Sequence, residues 1–230
     1  MPQRNRFPLP TRILFAILIL LPLLSACNTP TPEEPTPIPT PTPITTPFAG
    51  IREDPQRLTL IQSDLPDGFR RVDNTSLHGG HHAVLFMNPQ AVQQETAGQV
   101  LGVVDEVTIY EFDADAREAF ENDLRVTEED VARDVADAEN VARESIQVQA
   151  YAPGLEGVDL LRAFKVNYRI GGQRIYEYRY QFMVSNAIGN VIVTTRAQGD
   201  GGESDRARAQ AEAIAQAQVD RLNDFRVLPQ

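Results

Sequence analysis

Residues 51–230 predict an α+β fold in which helices pack against one antiparallel sheet. Two stretches, 164–170 and 176–184, alternate apolar with polar residues, which is the period of a strand with one buried face. Residues 113–139 and 204–225 instead repeat apolar residues at helical spacing. The segment has about 180 residues and no internal linker, enough for one buried core, so we expect a single domain.

The first 26 residues have the composition of an export signal. Three arginines precede an apolar run at 13–24, which is too short to cross a bilayer. The run ends in Leu24-Ser25-Ala26-Cys27, which resembles the lipobox of bacterial lipoproteins, where the chain is cut before the cysteine and the cysteine is lipidated. An ordinary secretory signal is the alternative, but it would export Cys27, the only cysteine, as an unpaired thiol. We therefore expect residues 1–26 to be a lipoprotein signal peptide and Cys27 to be the lipid anchor.

Residues 27–50 predict a linker that begins at the lipidated cysteine. Eight prolines, interleaved mostly with threonine, occur between residues 28 and 47. Such a composition builds no core and favours an extended polyproline II conformation. At about 3.1 Å per residue, this stalk holds the domain up to roughly 60 Å from the membrane surface.

Three helices are predicted in the first half of the domain. Asp54-Pro55 starts a short one, whose inward residues are Leu58, Ile61 and Leu65. A strand at 101–112 leads into a helix capped by Asp113, whose inward residues are Ala116, Ala119, Phe120 and Leu124. A variant capping box, Thr127 to Asp130, starts the third, whose inward residues are Val131, Val135 and Ala138.

The two alternating stretches predict a β-hairpin with one buried face. A two-residue loop, Gly171-Gly172, would set Tyr168 opposite Ile175 and turn the second apolar row outward. We therefore expect a three-residue loop that includes Gln173. It pairs Tyr168 with Tyr176, Val166 with Tyr178 and Phe164 with Tyr180. Residues 186–190 then form a turn into a strand at 191–197, and a helix at 204–225 ends the fold.

All three histidines, His78, His81 and His82, lie within five residues and suggest a metal site. Adjacent histidines tend to point apart, two glycines separate them from the third, and no cysteine is available as a further ligand. A solvated loop is therefore the expectation, and weak metal binding is the alternative.

The glycine-rich segment 199–202 precedes a helix, where backbone N–H groups can hold a phosphate. It lacks the lysine of a P-loop, and Asp200, Glu203 and Asp205 would repel an anion. We expect these acids to complement the positive end of the helix dipole instead.

The aromatic residues of the two hairpin stretches, 164–170 and 176–184, are expected to lie on the face of the sheet that is buried in the core, because cross-strand aromatic pairs stabilise sheets. Buried tyrosine hydroxyls need partners, so we expect some to reach a cavity or an edge. Our candidates for a ligand pocket there are Tyr176, Tyr178, Tyr180 and, from the last helix, Gln218. Gln218 is equally consistent with a hydrogen-bonded core amide.

The residue inventory disfavours most catalytic sites. Cys27 is assigned to lipid, no GxSxG motif occurs, and the histidines occupy one loop, which argues against Ser-His and Cys-His nucleophiles. Carboxylate pairs stay open, since acids are abundant. We expect no catalytic residues and no cofactor.

Three segments carry a resemblance to a known group of proteins. The phrase Asp64-Leu65-Pro66-Asp67-Gly68-Phe69, the step from strand to helix near Asp113, and Ala152-Pro153-Gly154-Leu155 resemble segments of small bacterial lipoproteins. The domains of those lipoproteins are similar to PsbP-like and PknH-type sensor folds. The resemblance implies a sensor-like domain.

Together these patterns predict a lipid-anchored protein on the extracytoplasmic face of the cell membrane. Loss of residues 1–26 removes three arginines and no acid, which lowers the net charge from −11 to −14 and disfavours nucleic acid as a partner. We expect a non-catalytic domain that binds a small ligand or an envelope protein. The alternative is a metal-binding or metal-dependent hydrolytic role for the histidine loop.

Overall fold

The computed structural model describes residues 49–77, 80–94, 97–123, 127–198 and 201–228. The signal peptide, Cys27, the linker up to residue 48 and His78 lie outside these residues, as do Leu124 and Asp200. Within the described ranges, no helix has the length and apolar character needed to cross a membrane.

The described residues form one antiparallel sheet and five α-helices. The strands are β1 Arg70–Leu77, β2 His81–Met87, β3 Val100–Ile109, β4 Gln147–Ala150, β5 Leu160–Ile170, β6 Gln173–Val184 and β7 Ala187–Arg196. The helices are α1 Pro55–Leu58, α2 Pro89–Gln93, α3 Asp113–Glu121, α4 Glu128–Glu139 and α5 Asp205–Asp224. The strand order is β1-β2-β3-β7-β6-β5-β4, and all neighbours are antiparallel. The predicted α+β fold, with helices packed on an antiparallel sheet, is confirmed.

Helices cover both faces of the sheet, although only one buried face was expected. On the first face, α5 and the N-terminal segment cover a core that includes Tyr178, Phe182, Val193, Ile214 and Leu222. On the second face, α4 packs through Val131 and Val135 against residues of β5 and β6, namely Phe164, Val166, Tyr168 and Ile175. The helix α3 adds a smaller cluster around Phe120 and Met183.

This second buried face explains why the predicted register of the β5–β6 hairpin is wrong. Tyr168 pairs with Ile175 and Lys165 with Tyr178, so the loop has two residues. The two apolar rows lie on opposite faces, each under its own helix, so neither is turned into solvent. Gly171 and Gly172 have φ of 56° and 83°, and positive values at both positions are what a type I′ turn requires.

Two other strand predictions need correction. The turn before β7 is Ser185-Asn186, not 186–190, and Ala187 already pairs with Val184. The Asn186 amide fixes this turn to the start of the domain, because its Oδ1 accepts from the Ile51 N–H at 2.6 Å and its Nδ2 donates to the Ile51 carbonyl at 3.0 Å. The pair β1–β2 was not predicted, since β1 is a polar edge strand and β2 begins in the histidine segment.

The helix starts follow the sequence closely. Asp54, Thr127 and Ser204 cap α1, α4 and α5 through side chains that accept backbone N–H groups. The helix α3 differs, because Phe112 is its N-cap and Asp113 is its first residue. Two of the predicted inward residues, Ile61 and Ala138, are exposed.

Candidate functional site

The candidate tyrosines of β6 lie in the core under α5. Tyr176, Tyr178 and Tyr180 are 7%, 0% and 1% exposed. The Tyr178 hydroxyl donates to Glu203 Oε1 at 2.9 Å, and Glu203 Oε2 accepts from the Lys165 ammonium at 2.8 Å. Burial, and then the Glu203 carboxylate, raise the pKa of Tyr178. The arrangement stabilises the start of α5 and leaves these rings little surface for a ligand.

Tyr180 and Tyr151 form a second tyrosine pair in the same core. Their rings meet edge to face, with centroids 6.1 Å apart. Both hydroxyls are buried and have no hydrogen-bond partner among the described residues. Burial is the main cause that raises the pKa of both groups, so they stay neutral.

Gln218 is a core amide that holds the N-terminal segment. It is fully buried, and its Nε2 donates to the Leu58 carbonyl at 2.8 Å. Two residues further along that segment, the Leu60 N–H donates to Asp105 Oδ2 at 2.6 Å. Gln218 Oε1 and Asp105 Oδ1 are both buried and without a partner. These two side chains therefore fix the 58–60 backbone rather than line an open pocket.

The Asp105 carboxyl is neutral at pH 7. Burial raises its pKa to about 8, while the hydrogen bond from Leu60 acts in the opposite direction. Asp64 and Arg221, which pair at 2.7 Å, and the neighbouring Glu106 exert weaker influences. In the unfolded chain the same carboxyl ionises near pH 4. Folding therefore binds a proton between these two pKa values, and stability falls as the pH rises from about 4 to about 8.

We expect Asp105→Asn to remove this loss, because an amide keeps the acceptor for Leu60 and does not titrate. Relative to wild type, the free energy of unfolding should gain about 1.4 kcal/mol for each pH unit between those limits. Urea unfolding at pH 5 and pH 7 measures the change, and Glu118→Gln, at an exposed position on α3, should keep the wild-type dependence. Parallel pH profiles for Asp105→Asn and wild type would contradict the assignment.

The histidines of β2 point to opposite sides of the sheet. His82 is 1% exposed and its Nε2 lies 3.5 Å from an Arg71 guanidinium nitrogen. Burial, and then Arg71, lower the pKa of His82. The expectation of a solvated loop is therefore wrong for His82.

A cleft of about 500 Å³ is lined by Glu53 and Asp54 together with His81 and His82. Both acids have other partners, because Asp54 caps α1 and Glu53 pairs with Arg57 at 2.9 Å. Among the described residues, no three potential metal ligands come together. His78 lies outside the described residues, so metal binding at this loop stays a prediction.

A different cleft, of about 290 Å³, lies at the end of the sheet where β5 turns into β6. We call it the arginine pocket, after Arg169, Arg174 and Arg196, which line it with Gln173, Gln198 and Gly201. Arg169 and Arg174 are directly opposite each other across the hairpin. Arg196 reaches the pocket from the end of β7, on the far side of the sheet from Arg174.

The guanidinium groups of this pocket lack counter-ions among the described residues. Nε and Nη1 of Arg196 and Nε of Arg174 are buried and make no hydrogen bond. Arg174 Nη1 donates to the Gly201 carbonyl at 3.1 Å, and the Tyr176 hydroxyl donates to the same oxygen at 3.3 Å. Tyr176 thus holds the Gly201 carbonyl in the wall of the pocket. No acidic residue is among the described residues that line the pocket.

This pocket is not evident from composition. Twenty of the twenty-one basic residues are arginine, so their number does not indicate where they cluster. The available signal was the pair Arg169 and Arg174, each two residues from Gly171-Gly172. In the two-residue register they are paired across the hairpin, which places like charges on neighbouring positions of the sheet.

No protein-family model matches the chain, and no curated protein sequence is significantly similar to it.

Proposed function

We propose that this chain is a lipid-anchored, extracytoplasmic membrane lipoprotein whose domain binds a ligand without chemical conversion. The observation that carries the binding role is the arginine pocket, an open cationic cleft in a chain of net charge −11. The described residues that line it supply hydrogen-bond donors but no carboxylate, histidine, serine or cysteine side chain. Such a lining suits recognition of a ligand more than acid–base or nucleophilic chemistry.

The proposed location rests on the N-terminal sequence. Leu24-Ser25-Ala26-Cys27 resembles a lipobox, and the proline-rich segment up to residue 47 gives the domain reach from the membrane. The resemblance of residues 64–69 and 152–155 to lipoproteins with PsbP-like or PknH-type domains supports a sensor-like role. A metal-dependent role for the histidine loop has weaker support, since Glu53 and Asp54 are engaged elsewhere.

We expect Cys27→Ser to abolish membrane association while the domain stays folded, because the proposed anchor is covalent lipid on this side chain. The matched control is Ser25→Ala, which changes the same motif but keeps the cysteine. The measurement is the fraction of protein in the membrane pellet after a high-salt wash, with circular dichroism to verify folding. Sedimentation of the serine variant with membranes would refute the lipoprotein assignment.

A further inference from the structure

We propose that the uncovered half of the second sheet face binds an amphipathic α-helix of a partner protein, one that carries basic residues beside its apolar stripe. We call this surface the open face. It is defined by half-exposed residues of β2, β3 and β7, namely Ala83, Leu85, Val104, Glu106, Asn190 and Ile192. None of these six residues lines the arginine pocket, so the two surfaces are tested separately.

The described helices leave the open face uncovered. On this face α4 packs on β4 and β5, and α3 packs on β6 and β7. The helices α1 and α5 also contact β3, but they belong to the core on the first face. Leu85, Val104 and Ile192 are half-exposed and belong to none of the three buried clusters of the described residues.

The sequence of β2 is typical of a strand that is covered on both faces. Residues 83–87 are five consecutive apolar residues. Val84 and Phe86 are buried in the first core, whereas Ala83, Leu85 and Met87 lie on the second face. A strand with one solvated face alternates apolar with polar residues, while a continuous apolar run is typical of strands buried on both sides. The pattern of β2 therefore favours a cover on the open face.

The apolar residues of the open face form one continuous row. Leu85 pairs with Val104, and Val104 pairs with Ile192. The next strands continue the row to Phe164, which α4 covers. A small cleft lined by Ile192 and by Val131 of α4 lies where the covered half meets the open half. This cleft can receive an apolar side chain from an element that packs beside α4.

The open face has the dimensions of one helix. Neighbouring strands are about 4.8 Å apart, so β2 and β7 lie about 10 Å apart, which is the diameter of an α-helix. The strand β2 has seven residues and is about 23 Å long, a length that a helix of about fifteen residues spans. A helix beside α4 would complete the layer on this face.

The charges around the open face favour a basic partner. The helix α4 carries six acids and one arginine in its twelve residues. Asp134 accepts from Arg179 Nη1 at 2.5 Å, which places this acid over β6, the neighbour of β7. Glu106 lies in the open face itself, and Arg70 and Arg196 lie toward the other end of the strands. Lysine or arginine side chains at the Glu106 end of the helix would complement these carboxylates.

The linker and a second copy of the chain fit the open face less well. The eight prolines between residues 28 and 47 are incompatible with a helix of this length. A symmetric contact between two copies would bring the acids of both α4 helices together, which is unfavourable.

The test measures binding of a fluorescent model peptide of about sixteen residues, with leucine on one helical face and lysine on the other, by anisotropy. The protein is the full chain in phosphatidylcholine nanodiscs, or in buffer if Cys27 carries no lipid, so the outcome does not depend on the anchor. Empty nanodiscs give the background. We expect saturable binding, and we expect the paired substitution Val104→Thr with Ile192→Thr to weaken it by about tenfold or more, because it replaces apolar contacts.

The matched control is Val227→Thr, at an exposed apolar position beyond α5, which should stay within about twofold of wild type. Absence of saturable binding to wild type would overturn the proposal. An undiminished affinity of the paired variant, or equal weakening by Val227→Thr, would overturn it as well.

A second peptide, with glutamate in place of lysine, tests the charge of the partner. It should bind about tenfold or more weakly than the lysine peptide, and Glu106→Lys should reduce this preference. Equal binding of the two peptides by wild type would overturn the basic partner. Glu106→Lys also covers the case in which the paired variant does not fold.

Two further measurements distinguish other occupants of the open face. Sedimentation velocity would assign the face to a second copy if wild type formed a dimer that the paired variant did not form. A photo-cross-linker placed at Val104 would assign it to the bilayer if it labelled nanodisc lipid in the absence of peptide. We expect a monomer and no lipid labelling, and either opposite result would overturn the proposal.

Discussion

Tyr178→Ala is expected to lower the free energy of unfolding by about 3–5 kcal/mol. Tyr178 has no exposed surface and lies between β5, β7 and the helix α5. Its removal leaves a ring-sized cavity in the main core and deprives Glu203 of a hydrogen bond. The loss arises from packing more than from the hydroxyl.

Tyr178→Phe separates these two contributions. It keeps the ring and removes only the hydrogen bond to Glu203, which still pairs with Lys165. A cost of about 1–2 kcal/mol is expected for this variant. Urea unfolding of wild type and both variants gives the free energies directly. A near-neutral Tyr178→Ala would contradict the core position of β6 under α5.

Glu177→Ala is expected to cost about 3–5 kcal/mol, although its side chain points away from Tyr178. Glu177 is 4% exposed on the face that α4 covers. Its Oε1 accepts from the Tyr168 hydroxyl at 2.5 Å, and its Oε2 accepts from Arg179 Nε at 2.9 Å. Truncation would leave a buried hydroxyl and a largely buried guanidinium short of partners, while Asp134 on α4 would still bind Arg179.

Glu144→Ala is the control for this variant, because Glu144 is exposed and should contribute less than about 0.5 kcal/mol. Glu177→Gln should fall between the two, since the amide oxygen can still accept from one partner. The free energies come from the same denaturant experiments. If Glu177→Ala proved as mild as Glu144→Ala, the second face of the sheet would be solvated and α4 would not cover it.

The helices were predictable because their signals are local. Asp54, Thr127 and Ser204 cap helices through side-chain contacts within three residues, and the apolar spacing that follows each cap depends on no distant partner. The alternation in β5 and β6 also identified two strands of an antiparallel sheet correctly.

The register of the hairpin depended on distant residues. The choice between two loop lengths assumed that one apolar row must face water, but α4 buries the row that contains Tyr168. Without knowledge of that helix contact, alternation alone cannot assign the two faces. The strand β1 was missed for a related reason. Its sequence is mostly polar and shows no alternation of apolar with polar residues, so only its pairing with β2 identifies it as a strand.

The arginine pocket depends on this register. In the predicted three-residue loop, Arg169 and Arg174 would not have been opposite each other, so no cluster of like charge was expected. The third member, Arg196, arrives from a strand more than twenty residues further along the chain. Such a site becomes visible only when the strand order is known.

Mass spectrometry of the N-terminal peptide of the membrane-purified protein tests the proposed lipoprotein identity most directly. The account predicts a mature chain that begins at Cys27 and carries the added mass of acyl chains. A chain that still begins at Met1, or a Cys27 without added mass, would contradict it.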